Sequence, residues 1–209
     1  MPFSLSTLPA FWWGRSFSST SRSFLYYDKL SSMALRLVIG LAGLHGAGKS
    51  TVAKRLLAEH GFSATSFGGV VRREAEARGF PLDLTTLQDL GAHFMNTEWG
   101  QEKFCRQVLQ ARLPFDSELV VIDGIRHVAS LPEIRKIVHP GKFVFIYLDI
   151  DEETRLDRLT KRQRLGDMHS SRETHPVEKE VLILREHADL VVNGGDDDAH
   201  TQIVSLVSF

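Results

Sequence analysis

The chain lacks several features that would place it in common protein classes. Among its 209 residues there is one cysteine, Cys105, so no internal disulfide framework can form. That usage fits a reducing compartment. Cys105 stands in the helical-looking stretch 101–108 with no partner motif around it, the setting of a packed structural thiol. No run approaches the roughly 18 apolar residues that a membrane-crossing helix needs. Charge of either sign is not in excess: 25 Lys and Arg against 26 Asp and Glu leave a net charge of -1. Neither nucleic acid nor an anionic membrane surface is therefore an expected partner. Nine histidines are present, but no H-x-x-x-H pair and no His/Cys cluster gives them zinc-type spacing. With 43% hydrophobic and 24% charged residues, the chain has the composition of a soluble globular protein. Its length suits one domain of ordinary size plus an extension. A cytoplasmic location, and a monomer or homodimer, are the further expectations.

Residues 1–33 differ from the rest. They hold nine serines, eight aromatics, three basic residues and a single acid, Asp28. Ser-rich, Arg-bearing and acid-poor describes an organelle transit peptide, yet no sustained amphipathic period is present. A start codon assigned too far upstream is an equal reading, because Met33 lies immediately before the first strand. The segment is expected to be disordered or loosely attached.

From residue 34 onward, strand and helix alternate, which predicts an α/β fold of three layers: about five mostly parallel strands with helices on both faces. Strands are expected at Arg36–Ala42, Phe62–Phe67, Leu119–Ile122, Lys142–Asp149 and Asp189–Asn193. Helices are expected at about Gly48–His60, with Gly61 beyond the end, and at Gly69–Arg78, stopped by Gly79 and Pro81. Thr85-Thr86-Leu87-Gln88 reads as a capping box opening a further helix, with Leu87, Leu90, Phe94 and Met95 as its apolar stripe. After a break near Trp99-Gly100, helix resumes over Gln101–Leu113. Asp151 is placed to cap a helix carrying Arg155, Arg158 and Arg162, and Pro176 to open the next one. A closing helix is expected over Ala199–Val207.

One stretch dominates the chemistry: Gly43-Leu44-His45-Gly46-Ala47-Gly48-Lys49-Ser50-Thr51. It fits G-x-x-x-x-G-K-[ST] at every fixed position, with a strand before it and a helix after it. Glycines let successive N–H groups face one centre, and the helix N-terminus adds partial positive charge there. All nine residues are thus candidates for binding ATP. Lys49 is expected to reach the β/γ-phosphates and the Ser50 hydroxyl to ligate Mg²⁺. Asp123, at the carboxyl end of a buried apolar run, is the matching Mg²⁺ partner.

Two further segments separate a transferase from a generic NTPase. Asp123-Gly124-Ile125-Arg126 resembles the Asp-Gly-x-Pro-Arg segment of adenylate kinases, without the proline. Ser66-Phe67-Gly68-Gly69-Val70-Val71-Arg72 resembles their Gly-Asp-x-x-Arg segment, with Gly69 where the acid stands. The chain is therefore similar, over about residues 35–207, to the P-loop nucleoside monophosphate kinase group. It is close also to dephospho-coenzyme A kinases and to uncharacterised archaeal relatives of both. The resemblance implies that Arg72 and Arg126 grip the phosphate of an acceptor, with Arg73 in reserve; a guanidinium suits that role because it binds phosphate bidentately and stays charged. It also implies that Gln88 reads the acceptor base, a role that its place in the capping box competes with. Arg155, Arg158, Lys161, Arg162 and Arg164 match a basic helix end, followed by a short lid near residues 164–176. Arg158 and Arg162 are the best placed to close over the transferring phosphoryl. His45 would line the loop, and His127 lies next to Arg126.

The expected activity is transfer of the γ-phosphoryl of Mg·ATP to a small nucleotide-like acceptor, a nucleoside monophosphate before others. Loss of the acid at Gly69 matters less for an anionic phosphate acceptor than for an alcohol, since positioning and electrostatics supply most of the catalysis. Two alternatives stay open: phosphorylation of an alcohol in the manner of dephospho-coenzyme A kinases, and a P-loop ATPase or nucleotide-binding switch that transfers nothing. A GTPase lacks the N-K-x-D segment it would need.

Overall fold

A computed structural model of the chain describes residues 35–98, 100–112, 117–163, 176–194 and 199–206. The extension at 1–33 and the lid segment expected from 164 lie outside the described residues.

The first strand, β1 (Leu37–Ala42), reads Leu-Val-Ile-Gly-Leu-Ala and is buried at every position, as a strand covered on both faces must be. The others are β2 (Ser63–Ser66), β3 (Leu119–Asp123), β4 (Lys142–Asp149) and β5 (Leu190–Asn193). They form one sheet in the order β2-β3-β1-β4-β5, and every pair is parallel. Parallel neighbours need a crossover between them. The helices supply it: α1 (Lys49–His60), α2 (Phe67–Arg78), α3 (Leu84–His93), α4 (Gly100–Gln110), α5 (Ser130–Val138), α6 (Glu152–Gln163), α7 (Pro176–Ile183) and α8 (Ala199–Leu206).

Alternation along each strand divides the core in two. Val38, Ala42, Val120, Ile122, Phe143 and Phe145 cluster with Phe67, Val71, Leu90, Phe104, Val108, Leu131 and Ile134 from helices α2 to α5. Leu37, Ile39, Leu41, Val121, Val144 and Ile146 cluster instead with Val52, Ala53 and Leu56 of α1 and Ala199 and Ile203 of α8. This is the expected three-layer α/β architecture. No helix among the described residues is long and apolar enough to cross a membrane.

Three local readings change. The helix α5 was not expected; its Leu131, Ile134 and Val138 recur at helical spacing and are buried. After α3 the helix widens into one π-turn, Phe94–Glu98, which keeps Phe94 and Met95 in the core, and helix resumes at Gly100, where φ is 68°. The start of α3 is also earlier than the capping box implied. Asp83 is the N-cap, with Oδ1 accepting from the Thr86 amide at 3.0 Å and Oδ2 from the Thr86 hydroxyl at 2.7 Å. A carboxylate is a stronger acceptor than the Thr85 hydroxyl, and it sits where the turn begins. Gln88 falls two residues beyond the capping-box position, which Thr86 occupies.

Candidate functional site

The loop between β1 and α1 is shaped by positive backbone angles that only glycine adopts without strain. Gly43 has φ 137° and Gly48, the residue before α1, has φ 94°. A Cβ at Gly43 would strike the carbonyl oxygen of Leu148 at the end of β4. Lys49 folds back along this loop, its Nζ donating to the Gly43 carbonyl at 2.7 Å and the Leu44 carbonyl at 2.9 Å. Ala47 is fully buried and Leu44 packs against the larger core cluster, so both frame the loop. Thr51 is exposed, with its amide bonded to the Gly48 carbonyl.

Because β3 is the neighbour of β1, its carboxyl end opens beside this loop. Ser50 Oγ donates to Asp123 Oδ2 at 2.6 Å. The two residues are far apart in sequence, and the sheet order alone brings them together. Beyond Asp123 the chain turns at Gly124 (φ 82°), and the amides of Gly124 and Ile125 both donate to the Leu41 carbonyl, at 3.1 and 3.0 Å. The following residues are held from the other side by Glu180 of α7. Its Oε1 accepts from the Val128 amide at 2.8 Å, and its Oε2 lies 2.9 Å from His127 Nδ1. Sequence reasoning had no signal for Glu180, since nothing local marks a carboxylate that reaches a loop more than 50 residues away.

A third strand end completes the site. Ser66 closes β2 and caps α2, its Oγ accepting from the Gly69 amide at 2.9 Å. A Cβ at position 69 would lie 2.7 Å from that oxygen, so the acid absent from this position would have met the cap. These pieces surround one cleft of about 480 Å³. It is lined by His45, Gly46, Gly48, Lys49 and Ser50 of the glycine loop, by Asp123, Gly124, Arg126 and His127 after β3, and by Arg72 and Gln88. Phe67, Val71, Leu84, Leu87 and Phe104 add apolar lining. Gln88 is 9% exposed.

The arginines of α6 separate. Arg155 is buried, with Nε and Nη2 each donating to the Glu152 carboxylate at 2.7 Å. That fork holds the Glu152 carboxyl below its ordinary pKa. Arg158 turns to the nucleotide-loop side, where Nη1 donates to the Gly194 carbonyl at 2.8 Å and the Gly46 carbonyl at 3.4 Å. It ties α6, the loop and the end of β5 together. The expected helix cap is present, with Asp151 Oδ1 accepting from the Thr154 amide at 2.8 Å. The side chain of Arg162, and Arg164 with the rest of the lid, lie outside the described residues. Cys105 is fully buried, and burial first, then the charge of Glu133, pushes its thiol up to about 12.

Comparison with known proteins places this geometry in a group. The AAA_18 family model, described as an AAA domain, matches residues 39–178. A UPF0200 protein of Pyrobaculum aerophilum is 36% identical over 130 residues, 62% of this chain and 68% of that protein. A UPF0200 protein of Methanosarcina mazei is 34% identical over 134 residues, 64% and 70% of the two chains. Among solved structures, shikimate kinase from Acinetobacter baumannii in complex with shikimate aligns with a TM-score of 0.51 at 17% identity, over 86% of this chain and 97% of that one. A Chloroflexus aurantiacus protein aligns with a TM-score of 0.54 at 14% identity, over 84% of this chain and 95% of that one. At such identities the likeness is one of fold: the sheet and its helices are those of P-loop kinases.

Proposed function

We propose that this chain, which belongs to the AAA_18 family of AAA domains and to the UPF0200 family, is an ATP-dependent phosphotransferase acting on a small, phosphorylated, nucleotide-like acceptor. The observation that carries the reading is that the nucleotide loop, Asp123 and two arginines, Arg72 and Arg126, line a single cleft. A nucleotide switch has no need of two further arginines lining the cleft of its phosphate loop.

The donor half fits Mg·ATP. Backbone amides of a glycine loop at a helix N-terminus suit phosphates, and Ser50 Oγ and Asp123 Oδ2, 2.6 Å apart, offer the hard oxygen donors Mg²⁺ takes. Bound there, Mg²⁺ would neutralise charge on the transferring phosphoryl. Lys49 is an ammonium held by two carbonyl oxygens, and a phosphate oxygen is a stronger acceptor for it than either. Arg158, anchored to Gly46 and Gly194, adds fixed positive charge behind the loop.

Arg72 and Arg126 are assigned to the acceptor phosphate, which they would hold bidentately and pull toward Lys49. Gln88, on α3, and the wall of Phe67, Val71, Leu84, Leu87 and Phe104 suit a flat, partly polar group such as a base. With glycine at position 69, the cleft-lining residues of α2, Phe67, Gly68, Gly69, Val71 and Arg72, include no carboxylate to take a proton from an alcohol. An acceptor oxygen that is already anionic does not require one. Nucleoside monophosphates are therefore the first class to test, ahead of dephospho-coenzyme A and shikimate.

The test is ADP formation from Mg·ATP against a panel of nucleoside and deoxynucleoside monophosphates, dephospho-coenzyme A and shikimate. We expect one phosphorylated acceptor to raise turnover at least about tenfold above the acceptor-free rate, and R126A to return it to that rate. If no acceptor exceeds the acceptor-free rate, the kinase reading fails and a switch that hydrolyses ATP slowly takes its place.

A further inference from the structure

Away from the cleft, at the far end of α1, three metal-ligating side chains converge from segments remote in sequence. Glu59 and His60 are the last two residues of α1, and His200 is the second residue of α8. One ligand atom from each lies within 4.8 Å of the other two. His200 Nε2 is 3.6 Å from Glu59 Oε2, and the two imidazole centroids are 5.2 Å apart with their planes tilted by 33°. His200 is only 6% exposed, yet its Nε2 has no hydrogen-bond partner. A buried imidazole nitrogen aimed at a carboxylate and bonded to nothing is an arrangement that burial alone disfavours.

The chemistry of the three groups selects a ligand class. Two imidazoles and one carboxylate suit Zn²⁺ and the late first-row divalent metals, whereas Mg²⁺ requires a shell of oxygens. Tetrahedral ligands at about 2.0–2.1 Å from a metal stand about 3.3 Å apart, close to the spacing of His200 and Glu59. His60 lies nearer the surface, where rotation of its side chain completes the set. The carbonyl end of α1 favours a cation here. Arg55 and the amide end of α8 oppose it. Arg55 pairs with Glu59 through Oε1 at 3.3 Å, which leaves Oε2, the oxygen facing His200, to a metal.

We propose that Glu59, His60 and His200 form a three-ligand site for a Zn²⁺-class divalent metal, which clasps α8 onto the end of α1. Spacing in the sequence hid it, because the ligands come from neighbouring helix ends and not from one helix face. Lys49 lies about 16 Å away along α1, at 1.5 Å per residue, so the site is structural and separate from phosphoryl transfer.

The untagged full chain, stripped by a chelator, is titrated calorimetrically with ZnCl₂, and in parallel with MgCl₂ and with H60N, E59Q and H200N variants. One equivalent of Zn²⁺ should bind the wild-type chain, and H60N and E59Q should each weaken it by at least about a hundredfold. At a hundredfold excess over Kd, Zn²⁺ should raise the melting temperature of the wild-type chain by about 5–10 °C, and of the variants far less. His60 and Glu59 lie outside the core, so their variants decide the matter even if H200N does not fold. The ATP-induced melting shift should be the same in H60N and wild type, which separates this site from the cleft. No stoichiometric Zn²⁺ binding by the wild-type chain, or equal affinity in H60N and E59Q, overturns the proposal.

Discussion

Removing the Glu180 carboxylate tests whether α7 holds the loop that carries Arg126. Two bonds are lost in E180A, from the Val128 amide at 2.8 Å and from His127 Nδ1 at 2.9 Å. Each is charge-assisted and in a dry site would contribute about 1.5–3 kcal/mol. Glu180 is about one-third exposed, so water replaces part of each, and about 2 kcal/mol for the pair is the expected cost. For a domain of this size that corresponds to a fall in melting temperature of about 4–8 °C. In E180Q the amide oxygen still accepts from Val128, so less than half of that loss is expected. Amide hydrogen exchange gives the local readout: Val128 should lose protection in E180A while amides of β1 and β4 keep theirs. Loosening the loop should also raise the KM for the acceptor about tenfold or more while leaving the KM for ATP nearly unchanged. A melting temperature within about 1 °C of wild type, together with unchanged Val128 exchange, refutes the anchoring role.

Other consequences follow from single contacts. Asp123→Asn leaves the fold intact and weakens the donor oxygen facing Ser50, so Mg²⁺-dependent turnover should fall by about a hundredfold or more in a steady-state assay at saturating ATP. Gly48→Ala places a Cβ at φ 94° and 3.2 Å from the Gly194 carbonyl, so ATP binding measured by calorimetry should be lost, with destabilisation of about 1–2 kcal/mol or more. Burial raises the Asp83 carboxyl, but its bonds to the Thr86 amide and hydroxyl outweigh that and leave it below the ordinary 3.8. Folding thus favours the ionised form: the contribution is present above pH 3.8 and is lost as pH falls through the depressed folded value. Asp83→Ala should cost about 1 kcal/mol at pH 7 in urea titrations, and less as the pH falls below that window. Cys105 should not react with a thiol reagent at pH 8 in the native state, and should react once denatured.

The parallel sheet made much of this legible. A strand covered on both faces must be apolar at nearly every position, so Leu119–Ile122 and Lys142–Asp149 stood out as uninterrupted runs. The glycine loop was equally plain, because its residue types are dictated by backbone angles at Gly43 and Gly48 and not by tertiary partners. What was missed depends on partners far along the chain or on competition between similar caps. Glu180 and the cluster at Glu59, His60 and His200 exist only once the helices are docked. The resemblance implied a lid role for Arg158; its contacts with the carbonyls of Gly46 and Gly194 were not readable from the sequence. At α3 two residue types could cap, and the carboxylate of Asp83 prevailed over the hydroxyl of Thr85. Helix α5 is short, and its Pro132 falls in the first turn, where a proline breaks nothing.

The Leu41 carbonyl accepts from two successive amides, Gly124 and Ile125, at the point where β1 leaves for the nucleotide loop. Main-chain bonds therefore tie the segment after β3 to the end of β1, in addition to the side-chain bond from Ser50 to Asp123. On the function proposed above, exchanges at Val71, Leu84, Leu87 and Gln88, which line the cleft, would alter acceptor choice while this main-chain link stays in place.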